Sequence, residues 1–177
     1  MADNYISSFS IDRERNVTLS LAKFLNDLGW NIVACHPPGG HTSFSILDGR
    51  RSKGGYMPDV VAIEKTESPK DVPLVIIAES KPSYDRSDTD IVKLDKLTEI
   101  HAQWIAFRLQ NHLPMDKWVI KWREKLQKII AVGEFLRPSI KNIPNDLIVL
   151  EFRDSAVPSK NSFIGASAPA RRYFKHI

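Results

Sequence analysis

Three residues in this chain have the types and the spacing to do chemistry together. Pro58-Asp59 is followed, after nineteen intervening residues, by Glu79-Ser80-Lys81. In an extended strand, residues two apart leave the same face, so Glu79 and Lys81 project side by side. They come directly after Val75-Ile76-Ile77-Ala78, a continuous apolar run of the kind found in a strand covered on both faces. An uncompensated charge in such a place costs several kcal/mol. Two carboxylates sharing a divalent cation, with an amine beside them, would offset that cost. The chemistry such a set suits is phosphodiester hydrolysis. Asp59 and Glu79 would hold Mg²⁺, with Mn²⁺ as a substitute and the Ser80 backbone carbonyl as a further oxygen ligand. The metal would acidify a bound water and polarise the phosphate. Lys81 would orient or deprotonate that water and stabilise the developing charge.

The remaining segments must bring Asp59 beside Glu79. Apolar residues at Val17, Leu21, Phe24, Leu25 and Leu28 define a helix from about Ile11 to Leu28, stopped by Gly29. Trp30 to Cys35 reads as a strand, closed by His36-Pro37-Pro38-Gly39-Gly40. Thr42 to Leu47 is a second short strand candidate, and Asp48 to Gly55 a basic, glycine-containing loop. Met57 to Ile63 and Val72 to Lys81 are the two strands carrying the motif, the latter ended by Pro82. A helix is expected from about Asp88 to Asn111, with Asp88 or Thr89 as its cap and Ile91, Leu94, Leu97, His101, Trp104 and Ile105 along one side. Pro114 opens another, expected to run to about Val132 with Trp118, Trp122, Leu126 and Ile129 as its stripe. Asp146 to Phe152 is a last strand, and an irregular basic tail follows from Ser155. The order implies one α/β domain over residues 1–177, with its core at about 11–153 and a central mixed sheet flanked by helices.

With the motif placed on strands, Pro58-Asp59…Glu79-Ser80-Lys81 resembles the PD-(D/E)XK signature of the restriction-endonuclease-like nuclease superfamily. The match covers roughly Ile11 to Leu109, with Asp146 to Phe152 as a further strand. The resemblance implies an αβββαβ core, Asp59 and Glu79 as metal ligands, and Lys81 as the catalytic lysine. Members of that family also use an acidic residue on the first helix. Glu14, three and seven residues before Val17 and Leu21, is the matching candidate, and Asp12 competes with it although it also suits a helix cap. The implied activity is Mg²⁺-dependent endonucleolytic cleavage of DNA, of restriction or defence type. Junction-resolving and repair nucleases share the signature. A non-catalytic nucleic-acid-binding or assembly module on the same fold, and a hydrolase of small phosphorylated substrates, are the other readings.

Charge distribution agrees with a polyanionic partner. Residues 114–177 carry 12 Lys+Arg against 6 Asp+Glu, whereas residues 1–113 carry 13 against 15. Arg50, Arg51 and Lys53 on the loop before Asp59, and Lys93 and Lys96 on the following helix, are the candidate phosphate contacts. Ser83, Tyr84, Asp85 and Arg86 would shape the rim. Such contacts position a duplex without reading its sequence. Trp118 and Trp122 suit either core packing or a homodimer interface, and a two-fold enzyme would match a two-fold substrate. Cys35, His36 and His41 do not make a zinc site, which wants four ligands at defined spacing. No Walker A or Gly-x-Gly-x-x-Gly sequence indicates a nucleotide cofactor. The single cysteine excludes an internal disulfide, no apolar run reaches membrane-spanning length and no secretory leader opens the chain, so a cytoplasmic location is expected.

Overall fold

The first helix stops where a glycine takes a backbone conformation that L side chains resist. Gly29 has φ of 88°. Its N–H donates to the Asn26 carbonyl at 2.9 Å, and Trp30 N–H donates to the Leu25 carbonyl at 3.0 Å. This pair of bonds is a Schellman motif, and Leu25 and Trp30 bury themselves in one apolar cluster beside it. A Cβ at Gly29 would meet nothing within 4 Å. Gly29→Ala therefore tests backbone strain alone, and a loss of about 1–2 kcal/mol is expected in urea unfolding; no change would show that the turn can relax.

The computed structural model describes residues 2–37, 57–68, 71–83, 89–94, 102–134 and 146–153. Helix α1 (Ala2–Asp27) begins nine residues before the expected Ile11, and no proline or glycine interrupts that stretch. Strands β1 (Asn31–Cys35), β2 (Val60–Ile63) and β3 (Val75–Lys81) follow. Residues 89–94 are helical, and helices α2 (Ala102–Arg108) and α3 (Met115–Lys125) come next. Strands β4 (Leu126–Val132) and β5 (Leu147–Glu151) close the fold. The expected strand at Thr42 to Leu47, the loop from Asp48 and the tail from Ser155 lie outside the described residues.

The five strands form one mixed sheet in the order β1-β2-β3-β4-β5. The first three make an antiparallel meander, with an irregularity in β1 between Ile32 and Ala34. Strand β4 lies parallel to β3, and β5 parallel to β4. Alternation along the strands divides the core in two. Val61, Ile63, Val75, Ile77, Ile130 and Val149 pack with Leu94, Ile105 and Trp118 on the face bearing the later helices. Val60, Ile76, Ala78, Ile129 and Ile148 pack with Leu21, Leu25 and Trp30 on the α1 face. Phe24 meets Phe152 edge-on at 6.0 Å between ring centroids, joining α1 to the chain beyond β5. The result is a single-domain α/β fold of three layers.

One expected element is corrected. The helix opened by Pro114 ends at Lys125, and Leu126–Val132 is a strand between β3 and β5. Leu126 and Ile129 therefore belong to no helical stripe and face opposite sides of the sheet. Every β4 residue is buried. Lys128 is accommodated by an ion pair with Asp146, and the Gln127 amide donates to the carbonyls of Lys128 and Asp146. Trp118 is fully buried in the core, and Trp122 packs against the same cluster. Smaller shifts occur elsewhere. Met57 to Asp59 precede β2, Val72 to Leu74 precede β3, and α2 ends at Arg108 rather than Asn111.

Candidate functional site

Parallel pairing of β3, β4 and β5 gathers the carboxyl ends of three strands at one edge of the sheet, where ligands of open α/β folds bind. The end of β1 and the start of β2 arrive at the same edge, since Cys35 pairs with Val60 and Val60 with Ala78. Continuing that register by one residue sets Asp59 opposite Glu79. Partners across a ladder share a face, so the two carboxylates and Lys81 leave the sheet on the side of the later helices.

Asp59 is pinned by its neighbour strand, with Oδ2 accepting the Ser80 backbone N–H at 2.7 Å. Glu79 is the most buried acid of the group, with a side chain 2% exposed. Lys93 Nζ, from the helical turn at 89–94, forms an ion pair with Glu79 Oε1 at 2.6 Å. Lys81 sits at the last position of β3 and spans the layers. Its Nζ lies 3.1 Å from Glu14 Oε1 on α1 and 3.4 Å from Asp90 Oδ2 on the opposite side. Asp90 Oδ1 is in turn 4.0 Å from Lys93 Nζ. Four carboxylates thus surround two ammonium groups, an excess of two negative charges when all are ionised.

Burial, then the nearby Glu14, pushes the Asp59 carboxyl up to about 6 against the pull of the Ser80 N–H and of Lys81. Burial, then repulsion from Asp59, pushes Glu79 up to about 8 despite its ion pair with Lys93. For Lys81, burial acts downward, but Glu14, Asp90 and Asp59 outweigh it and hold the amine above its ordinary value. Lys81 is an ammonium in this setting, not a proton acceptor. Among the described residues, no three of His, Cys, Asp and Glu gather closely enough to hold a metal by themselves. Asp59 and Glu79 are a two-carboxylate set, which suits Mg²⁺, an ion that keeps several waters and takes one or two protein carboxylates.

The structure thus brings together Asp59, Glu79, Lys81, Glu14 and Lys93. Ser80 contributes its N–H to Asp59, while its side chain points to the α1 face with Oγ buried and, among the described residues, without a hydrogen-bond partner. Asp12 is exposed on α1. Arg50, Arg51, Lys53, Lys96, His41 and His101 lie outside the described residues, as do Tyr84, Asp85 and Arg86. His36 is buried with Nδ1 3.0 Å from the Pro58 carbonyl, a structural contact that steadies the entry to Asp59. Sequence reasoning missed Asp90. The available signal was its spacing of three from Lys93, which puts both on one helix face.

Gly133 closes the neighbouring strand end. Its N–H donates to the Lys81 carbonyl at 3.1 Å. A Cβ there would lie 2.9 Å from the Pro82 carbonyl oxygen and 3.0 Å from Arg13 Nε. Gly133→Ala is expected to cost about 1–3 kcal/mol, because the backbone at Pro82 has to move. Denaturant unfolding measures it, and an unchanged midpoint would mean that the strand end yields freely.

The geometry defines a class: an α/β protein whose central strands end in a carboxylate–lysine cluster. The chain matches no family model, no curated protein and no solved structure. No helix among the described residues is long and apolar enough to cross a membrane.

Proposed function

We propose that this protein is a Mg²⁺-dependent endonuclease acting on DNA, built on a restriction-endonuclease-like core. The observation that carries the reading is the pairing of half-buried Asp59 with buried Glu79, held against mutual repulsion, with the Lys81 ammonium fixed beside it. Asp59 and Glu79 would hold the cation, and when bound it supplies an activated water and a polarised phosphate. Glu14 and Asp90 hold Lys81 between the two layers, so its ammonium is aimed rather than swinging free. Held in this way, Lys81 would orient the attacking water and offset charge on the phosphate. The basic half of the chain, where Lys117, Lys121 and Arg123 of α3 are exposed, suits a polyanionic partner.

One observation favours a second reading, a non-catalytic nucleic-acid-binding module on the same fold. Lys93 already neutralises Glu79, and among the described residues a third acidic ligand does not converge on the pair. Incubation with plasmid, linear, branched and single-stranded DNA, with and without Mg²⁺, separates the two. The nuclease reading expects strand scission only with the metal. Binding that weakens steeply with salt but never leads to scission, with Mg²⁺ or Mn²⁺, would favour the second reading.

A further inference from the structure

We infer that Lys93 is a displaceable counter-ion, which sits on Glu79 in the metal-free protein and is evicted toward Asp90 when a divalent cation enters. The inference rests on the metal-centre reading of Asp59 and Glu79 and adds a step to it. Glu79 is almost wholly enclosed, so its charge needs a partner whether or not a metal is present. Lys93 supplies that partner at 2.6 Å. A lysine is a point charge on a flexible four-carbon stem, so it can leave without moving the backbone.

An ammonium on Glu79 and a cation shared by Glu79 and Asp59 compete for the same carboxylate. The evicted amine has a destination on its own helix. Asp90, three residues earlier and buried, already lies 4.0 Å from Lys93 Nζ through Oδ1. Lys81 engages the other oxygen of Asp90 at 3.4 Å. Asp90 can therefore receive Lys93 without releasing Lys81. The consequence is a buried Glu79 that keeps a counter-ion when the site is empty, at the expense of metal affinity.

Mg²⁺ titration by calorimetry on the chain of 177 residues tests this. Lys93→Met is expected to bind Mg²⁺ roughly tenfold or more tightly than the native chain, since no close charge pair has to be broken. Lys93→Gln serves in its place if the methionine variant does not fold. In NMR spectra of the lysine ammonium groups, the Lys93 signal, assigned by its loss in the variant, should shift on Mg²⁺ addition. Tighter binding with an unmoved Lys93 signal would reduce its role to simple repulsion and overturn the eviction. Unchanged or weaker binding in the variant would overturn it too, while loss of binding in Glu79→Gln would leave the metal centre standing. If neither native protein nor variant binds Mg²⁺, the metal-centre reading falls, and the inference with it.

Discussion

Glu79→Gln is expected to lower Mg²⁺-dependent DNA cleavage by about 10³-fold or more, and Lys81→Met by about 10²–10³-fold, the scale seen when one group stabilising transition-state charge is removed. Both substitutions preserve side-chain volume at the strand end, so the fold should survive. Glutamine keeps the hydrogen-bonding capacity of Glu79 but has no charge to hold a cation. Methionine keeps the stem of Lys81 between Glu14 and Asp90 and removes only the ammonium. Circular dichroism and urea unfolding check that each variant is folded, and single-turnover cleavage measures the chemical step. The two losses should not add, because both residues serve one transition state. Native rates in both variants would remove the site from the reaction. A large loss in Glu79→Gln alone would keep the metal centre and strip Lys81 of its role.

Without divalent metal, thermal stability should fall as the pH rises from about 4 to about 8. The sign follows from the carboxyls. Asp59 goes from 3.8 in the unfolded chain to about 6 in the folded one, and Glu79 from 4.5 to about 8. Between those values the folded protein binds more protons than the unfolded chain, so stability decreases with pH. Their contribution is full below the unfolded values and is lost as the pH passes the folded ones. The slope is bounded at about 1.4 kcal/mol per pH unit for each group. Lys81, held above its ordinary value, titrates beyond this window and does not alter the sign.

Mg²⁺ should reverse the trend, because a cation needs the carboxylates ionised and its binding releases their protons. The stabilisation it confers should therefore grow with pH. Melting temperatures at several pH values, with EDTA or with Mg²⁺, measure both effects. Glu79→Gln should flatten most of the metal-free decline above pH 6, the part that belongs to Glu79 rather than Asp59. An identical decline in the variant would assign the pH dependence to other groups.

Local chemistry carried much of the architecture. The stripe from Val17 to Leu25 and Gly29 beyond it define where α1 packs and where it stops, because helix periodicity and a positive φ are properties of a few adjacent residues, whereas Leu28, expected in the same stripe, lies past the helix and is exposed. The spacing of Glu79 and Lys81 likewise places both on one face of β3 before any partner strand is known. The tertiary structure decided what local pattern leaves ambiguous. Leu126–Val132 has apolar residues spaced for either a helix or a buried strand, and only its position between β3 and β5 selects the strand. Burial on both faces then demands the Asp146 partner for Lys128. The company that Lys81 keeps was equally out of reach. Glu14, sixty-seven residues away in sequence, meets it because α1 and the sheet share a core, and Asp90 meets it from the opposite layer. Sequence sets which side chains share a face; packing of layers sets which charges meet, since that depends on contacts between residues far apart in the chain.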